Sequence, residues 1–312
     1  MRRWLVLPLL AAVVLAAAAP AWGHVRTGRN LVPRHGALFG AFVNSSGDAW
    51  ANVVGLQRTL GYRLTIVHHY RPWAISSYRI DKSALAHRQI PMISWSPGGT
   101  TTAAEITSGS QDALITRTAR DIKALHKKIF VRLAYEMDQP RGHPRYIGTP
   151  SEFVPAWRHV VRIFHRVGAK NARFVWCAIA ANFKTGHAQA YYPGDRFVNW
   201  IAADGYNWYP AKPKWAGYRS IFSSFYHWGK RHGKPLMIAE TGSMEDPHAA
   251  GRKAHWLKRA RKWVHAHGHI KAVVYFDSVS PKGYDFRVQT SGSSLKAFRR
   301  WGRGTYWNRM HR

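Results

Sequence analysis

Ile129-Phe-Val-Arg-Leu-Ala-Tyr135 is an apolar run that ends in Glu136, and Pro235-Leu-Met-Ile-Ala239 is a second that ends in Glu240. The chain carries 47 Lys and Arg against 15 Asp and Glu. In so basic a sequence, two hydrophobic runs that each close on glutamate form a pattern. Similar runs occur at 37–43, 64–69, 90–95, 173–179, 200–206 and 272–276, which with 129–135 and 236–239 makes eight. They are continuous rather than alternating, as expected of strands covered on both faces.

Helical patterns separate the runs. Thr149-Pro-Ser-Glu152 is a capping box with proline at the first helical position, followed by Phe153, Trp157, Val160, Val161 and Phe164 on one face and a stop at Gly168. Asp246-Pro247 predicts another helix start, with Trp256, Leu257, Ala260, Trp263 and Val264 on its buried stripe and Gly268 at its end. Residues 111–127 place Leu114, Ile115, Ile122 and Leu125 at helical spacing. Eight strand–helix alternations predict a (β/α)8 TIM barrel, one α/β domain over residues 24–300. The competing open, doubly wound sheet would need a GxGxxG turn after the first run, which is missing.

Outside that domain, the basic start Met1-Arg-Arg-Trp4, a short apolar stretch and Ala19-Pro-Ala21 read as a signal peptide over residues 1–23. That predicts an exported protein with no membrane span once the signal is removed, secreted or held at the cell wall. Cys177 is the only cysteine, so no internal disulfide can form, and its apolar surroundings predict a buried, inert thiol. There are 18 histidines, but no HExxH or CxxC spacing, and no metal site is expected. The net charge of +32 suits anionic cell-wall polymers. It is spread over helix faces with no nucleic-acid motif, so no specific nucleic acid is expected. Residues 301–312 form a basic, aromatic tail, read as a frayed end or a wall-binding segment.

In such a barrel the C-terminal strand ends share one rim. Reading off those ends gives His68 and His69, Trp95, Glu136, then Asp204, Tyr206, Asn207 and Trp208, then Glu240, then Phe276 and Asp277. Carboxylates after the fourth and seventh strands face each other across the mouth, as retaining glycoside hydrolysis needs, with carboxyl groups roughly 5–5.5 Å apart. By period two, Arg132 shares the inward face, and Tyr206 is placed to donate to Glu240. Trp95, Trp208, Tyr209 and Tyr70 offer flat faces for sugar rings. His69, Tyr135, Phe276 and Asp277 complete the expected substrate-binding set.

Three segments, Val131-Arg-Leu-Ala-Tyr-Glu-Met-Asp138, Ala203-Asp-Gly-Tyr-Asn-Trp208 and Lys234-Pro-Leu-Met-Ile-Ala-Glu-Thr-Gly-Ser243, resemble glycoside hydrolase family 26 in type and order. The resemblance runs over nearly all of the mature chain. It implies a retaining endo-β-glycanase acting on β-mannan or β-1,3/1,4-glucan, with no metal or organic cofactor. It also implies Glu136 as acid/base, Glu240 as nucleophile and Tyr206 as the tyrosine that supports the nucleophile. Tyr135 and Asp138 stand where the family typically has histidine and asparagine, and Asp138 is expected to raise the acid's pKa. The loop Gln139-Pro-Arg-Gly-His-Pro-Arg-Tyr146 is basic, which suits an acidic or substituted glycan. The rival readings are a non-catalytic, wall- or polyanion-associated carbohydrate-binding barrel and a different hydrolase of the same clan.

Overall fold

The computed structural model describes residues 27–44 and 47–307; the expected signal peptide lies outside them. The eight runs become β1 Leu38–Asn44, β2 Ile66–Pro72, β3 Ile90–Ser96, β4 Ile129–Leu133, β5 Ala172–Ile179, β6 Trp200–Asn207, β7 Leu236–Ser243 and β8 Ile270–Ser278. They close into one barrel in chain order, every pair parallel. Around it lie α1 Ala49–Leu60, α2 Arg79–Ala86, α3 Ala103–Thr107, α4 Asp112–Ala124, α5 Pro150–Val167, α6 His187–Ala190, α7 Tyr218–Gly229, α8 Arg252–His265 and α9 Gly292–Arg303. Among the described residues, no helix is long and apolar enough to cross a membrane.

The continuous runs have two destinations because successive strand side chains point to opposite faces. Leu38, Ile66, Met92, Phe130, Trp200 and Met237 fill the barrel interior. Phe39, Ile93, Val131, Trp176, Ile238 and Val273 lie in the layer under the helices. Gly40 marks a close approach between β1 and β2: a Cβ there would sit 2.5 Å from the Ile66 Cβ. The segment before β1 adds Leu31 to the interior cluster. It is tied down by Trp200, whose indole N–H donates to the Asn30 carbonyl at 2.6 Å.

α5 follows its sequence signals: the Thr149 N–H donates to the Glu152 carboxylate at 2.6 Å, and Gly168 ends the helix with φ 74°. α8 departs from them. It begins at Arg252, not at Asp246-Pro247, because the Asp246 carboxylate instead accepts from the His248 N–H and from Arg252. The C-terminal boundary also differs, since residue 300 falls inside α9. Trp301 and Trp307 are buried against Phe39, with ring centroids 5.5 and 5.4 Å away. Through Trp307 the expected tail is part of the hydrophobic layer, where truncating one such indole to alanine costs about 3–5 kcal/mol.

Candidate active site

The two glutamates reach the barrel mouth by different irregularities. β4 stops at Leu133, and the chain then turns through Ala134 (φ 40°) and Glu136 (φ 51°), left-handed values that cost a non-glycine residue energy. The neighbouring strands hold the turn: the Ala134 N–H donates to the Trp95 carbonyl at 2.8 Å and the Glu136 N–H to the Cys177 carbonyl at 2.9 Å. Glu240 lies within β7, not at its end. Strict alternation from inward Met237 and Ala239 would send Glu240 outward. A bulge prevents this: Ile238 pairs with Ala203 and Glu240 with the very next residue, Asp204, so both carboxylates face inward.

One oxygen from each of Glu136, Asp204 and Glu240 lies within 4.8 Å of the others. Carboxylates from β4 and β7 were expected to face each other across the mouth; the structure brings Asp204 of β6 in with them. Arg132, wholly buried and inward as its parity predicts, joins the group. Its Nη1 donates to both Asp204 oxygens at 2.9 and 3.0 Å, its Nη2 to Glu240 and its Nε to Ser94 Oγ at 2.8 Å. The Tyr70 and Tyr206 hydroxyls donate to the two Glu240 oxygens, each at 2.5 Å. Burial, and after it the charge of Glu240, pushes both phenols well up, so they remain donors. The trio could share a cation by distance, but two of its members already share the Arg132 guanidinium.

Burial also raises Glu136, against the pull of Arg145, whose Nη2 lies 2.5 Å from its Oε2. Gln139 donates to the same oxygen at 3.0 Å. Burial raises Asp204 as well, against Arg132. His68 is pushed well down by burial and by Arg132, and it pairs with Ser94 Oγ at 2.6 Å. Asp138 does not act on the acid as expected. Its carboxylate turns to the Ile179 N–H and to Asn182, holding the segment after β5. Cys177 is buried as expected and donates to Asp204 at 3.1 Å.

Of the expected binding residues, Tyr135 lies under Arg132 and Arg145, with guanidinium carbons 4.3 and 5.5 Å from its ring centre. Phe276 stacks on Phe42 with centroids 5.1 Å apart, and Trp208 joins Tyr206, Phe286 and Tyr284 in the same aromatic rim. Tyr209 stands further out, against Trp215 and Arg252. Three residues face away, all for parity. Trp95 alternates with inward Ser94, is fully buried and stacks on Trp73. His69 follows inward His68 and pairs with Asp81 of α2 at 2.9 Å. Asp277 follows inward Phe276 and accepts the Val288 N–H at 2.7 Å. Sequence reasoning missed Ser94 and Arg145 and did not foresee that the Tyr70 hydroxyl donates to Glu240. The parity of β2 and β3 would have placed Tyr70 and Ser94 together on the inward face.

A closed parallel barrel with three carboxylates and an aromatic rim at its C-terminal mouth defines the class, a (β/α)8 barrel whose functional end is that mouth. Within that class, the resemblance to glycoside hydrolase family 26 holds across the described molecule. A family 26 β-mannanase from Bacteroides ovatus superposes with a TM-score of 0.65 at 13% identity, covering 88% of this chain and 90% of that one. Among curated proteins, endoglucanase H of Acetivibrio thermocellus is 31% identical over 277 residues, 85% of this chain and 30% of that protein. The β-1,3-xylanase TXYA of a Vibrio species is 27% identical over 140 residues, 44% of this chain and 28% of that protein. The chain thus spans less than a third of the length of these two relatives. No family model matches it.

Proposed function

We propose that this chain is an exported retaining β-glycanase that cleaves β-linked polysaccharide within the chain. The observation that carries the reading is the distance between Glu136 and Glu240, whose nearest oxygens lie within 4.8 Å. Inverting enzymes need room for a water and hold their carboxyls roughly 6.5–9.5 Å apart, whereas retaining ones hold them about 5–5.5 Å apart. Relatives named as a mannanase, an endoglucanase and a β-1,3-xylanase support a β-linked substrate without choosing the sugar.

Glu240 is the nucleophile. Two phenols and a guanidinium converge on its carboxylate, fixing its orientation and leaving it acceptor-only. It attacks the anomeric carbon as the glycosidic C–O bond breaks, and Glu136 gives its proton to the departing oxygen. Water then enters, Glu136 takes its proton back from it, and the resulting hydroxide releases the sugar from Glu240. The aromatic rim of Phe42, Trp208 and Phe276 suits the flat faces of sugar rings.

The test is a reducing-end assay on β-mannan, lichenan, β-1,3-glucan and β-1,3-xylan, with the product anomer followed by NMR. Release with retained configuration, abolished by Glu240→Ala and reduced at least a hundredfold by Glu136→Ala, is the expected result. Inverted product, or undiminished cleavage by both variants, overturns the reading.

A further inference from the structure

The proposed general acid carries a partner its chemistry does not require. Arg145, from the connection between β4 and α5, holds Glu136 in an ion pair. A general acid must begin the first step protonated, and a neighbouring guanidinium opposes that. A guanidinium in contact with a carboxylate favours its ionised form, and so opposes a proton that has to be in place. Burial raises Glu136 in spite of the pair, and drawing Arg145 away removes the main opposition to that rise.

Arg145 is built to be moved. Its side chain is 35% exposed where that of Glu136 is 12%, and its Nε has no hydrogen-bond partner. Its backbone is pinned, however. The Arg145 N–H donates to His143 Nδ1 at 3.1 Å, and the Tyr146 N–H to the His143 carbonyl at 2.8 Å. The side chain can thus swing without the loop. His143 feels both Arg145 and Lys282, the latter from the segment after β8, so this flank of the mouth is cationic. The carboxylates that act on Arg145, Glu136 and Glu240, both lie inside the mouth.

We propose that Arg145 selects carboxylate-bearing β-glycans: a carboxylate on the bound polymer draws the guanidinium off Glu136 and frees Glu136 to carry its proton. The planar fork of arginine matches a carboxylate in two parallel hydrogen bonds, which a neutral hydroxyl cannot equal. With Arg145 withdrawn, Glu136 is left facing Gln139 and Tyr135 on its own segment, Arg132 on β4, Asp204 on β6 and Glu240 on β7. This inference rests on the glycosidase reading above and narrows its substrate class.

The experiment compares carboxymethyl and hydroxyethyl derivatives of one β-glucan and one β-mannan, matched in degree of substitution, so that bulk is equal and charge differs. The native chain should favour the carboxymethyl polymer in kcat/KM by at least tenfold at low salt. Arg145→Gln should erase that ratio, and Arg145→Lys should restore part of it. Arg145→Gln should also move the basic limb of the pH profile on the hydroxyethyl polymer upward, because Glu136 loses its cation; a purely structural role would not do this. Cleavage with equal rates on the two derivatives, or a ratio unchanged in Arg145→Gln, overturns the proposal and leaves the glycosidase reading standing. If neither polymer is cleaved, calorimetric titration with the two derivatives separates the cases. Charge-selective binding lost in Arg145→Gln supports the recognition role while the hydrolase reading falls. Equal or absent binding removes both.

Discussion

Replacing Arg132 by methionine is the severest single test of the site's electrostatics. The side chain is completely buried and bridges Asp204 and Glu240, while one oxygen of Glu136 lies within 4.8 Å of both. Methionine is of similar length, so the loss is of charge rather than volume. Three buried carboxylates then face each other without a cation. At an effective dielectric near 20, two unit charges 4.8 Å apart repel by about 3.5 kcal/mol, or roughly 2.5 pKa units. Removing one partner of a buried ion pair costs about 3–5 kcal/mol in general, and we expect a loss of that size at pH 8. At about 2–4 °C per kcal/mol for a chain of this length, Tm should fall by roughly 6–20 °C.

The pH dependence is the sharper signature. A carboxylate whose folded pKa is raised above its unfolded value of about 4 binds its proton more tightly when folded. Its favourable contribution is full below that unfolded value and is lost as pH rises through the folded one. Arg132→Met should therefore regain most of its lost stability between pH 8 and pH 5, opposite to ordinary acid denaturation. Urea unfolding followed by tryptophan fluorescence at pH 5, 6.5 and 8 measures it. Adding Asp204→Asn should rescue part of the loss at pH 8. A penalty under about 1 kcal/mol, or one that is flat across that range, refutes the reasoning.

Other consequences can be measured more simply. Tyr70→Phe and Tyr206→Phe each remove one donor from Glu240, and since a hydrogen bond to a charged group contributes about 1.5–3 kcal/mol, kcat should fall roughly 10- to 100-fold in each. Gly40→Ala forces a Cβ to within 2.5 Å of the Ile66 Cβ and should destabilise the barrel by about 1–3 kcal/mol, seen as a lower urea midpoint. Burial lifts Asp277 to about 6, so its share of stability is lost as pH rises from about 4 through 6; the stability of Asp277→Asn relative to the native chain should improve by about 3 kcal/mol from pH 4 to pH 7.

The barrel was legible because eight hydrophobic runs separated by helical patterns leave few other architectures. The face of each residue was harder to read. When both faces of a strand are covered, the apolar code no longer says which side is in, so Trp95, His69 and Asp277 were assigned to the mouth although each turns toward the helices. For the first two, a polar neighbour was the available clue: Ser94, His68 and Tyr70 belong to one inward set. Two features had no sequence signal. The β7 bulge that turns Glu240 inward, and the left-handed turn at Ala134 and Glu136, are set by pairing with neighbouring strands rather than by local residue preference. The structure brings the two glutamates together at the mouth, but the geometry that aims them was not foreseeable from their positions.

The distribution of glutamate explains why the two were recognisable at all. The chain has five. Glu105 and Glu152 close capping boxes, each with threonine three residues before it, and each accepts that threonine's N–H. Glu245 gathers the hydroxyls of Thr290, Ser291 and Ser294 and so ties the start of α9 to the chain after β7. Each of those three satisfies a local backbone or hydroxyl need, the ordinary use of a carboxylate on a surface. Glu136 and Glu240 have leucine and methionine at the capping distance and serve no helix end. They are buried at a cost that only nearby donors offset: Arg145 and Gln139 for one, Arg132, Tyr70 and Tyr206 for the other. A fold that needed only stability could replace that whole set with apolar side chains of similar volume. Retaining two costly acids, each with its own attendants and within one sugar's reach of each other, is what a site for chemistry requires.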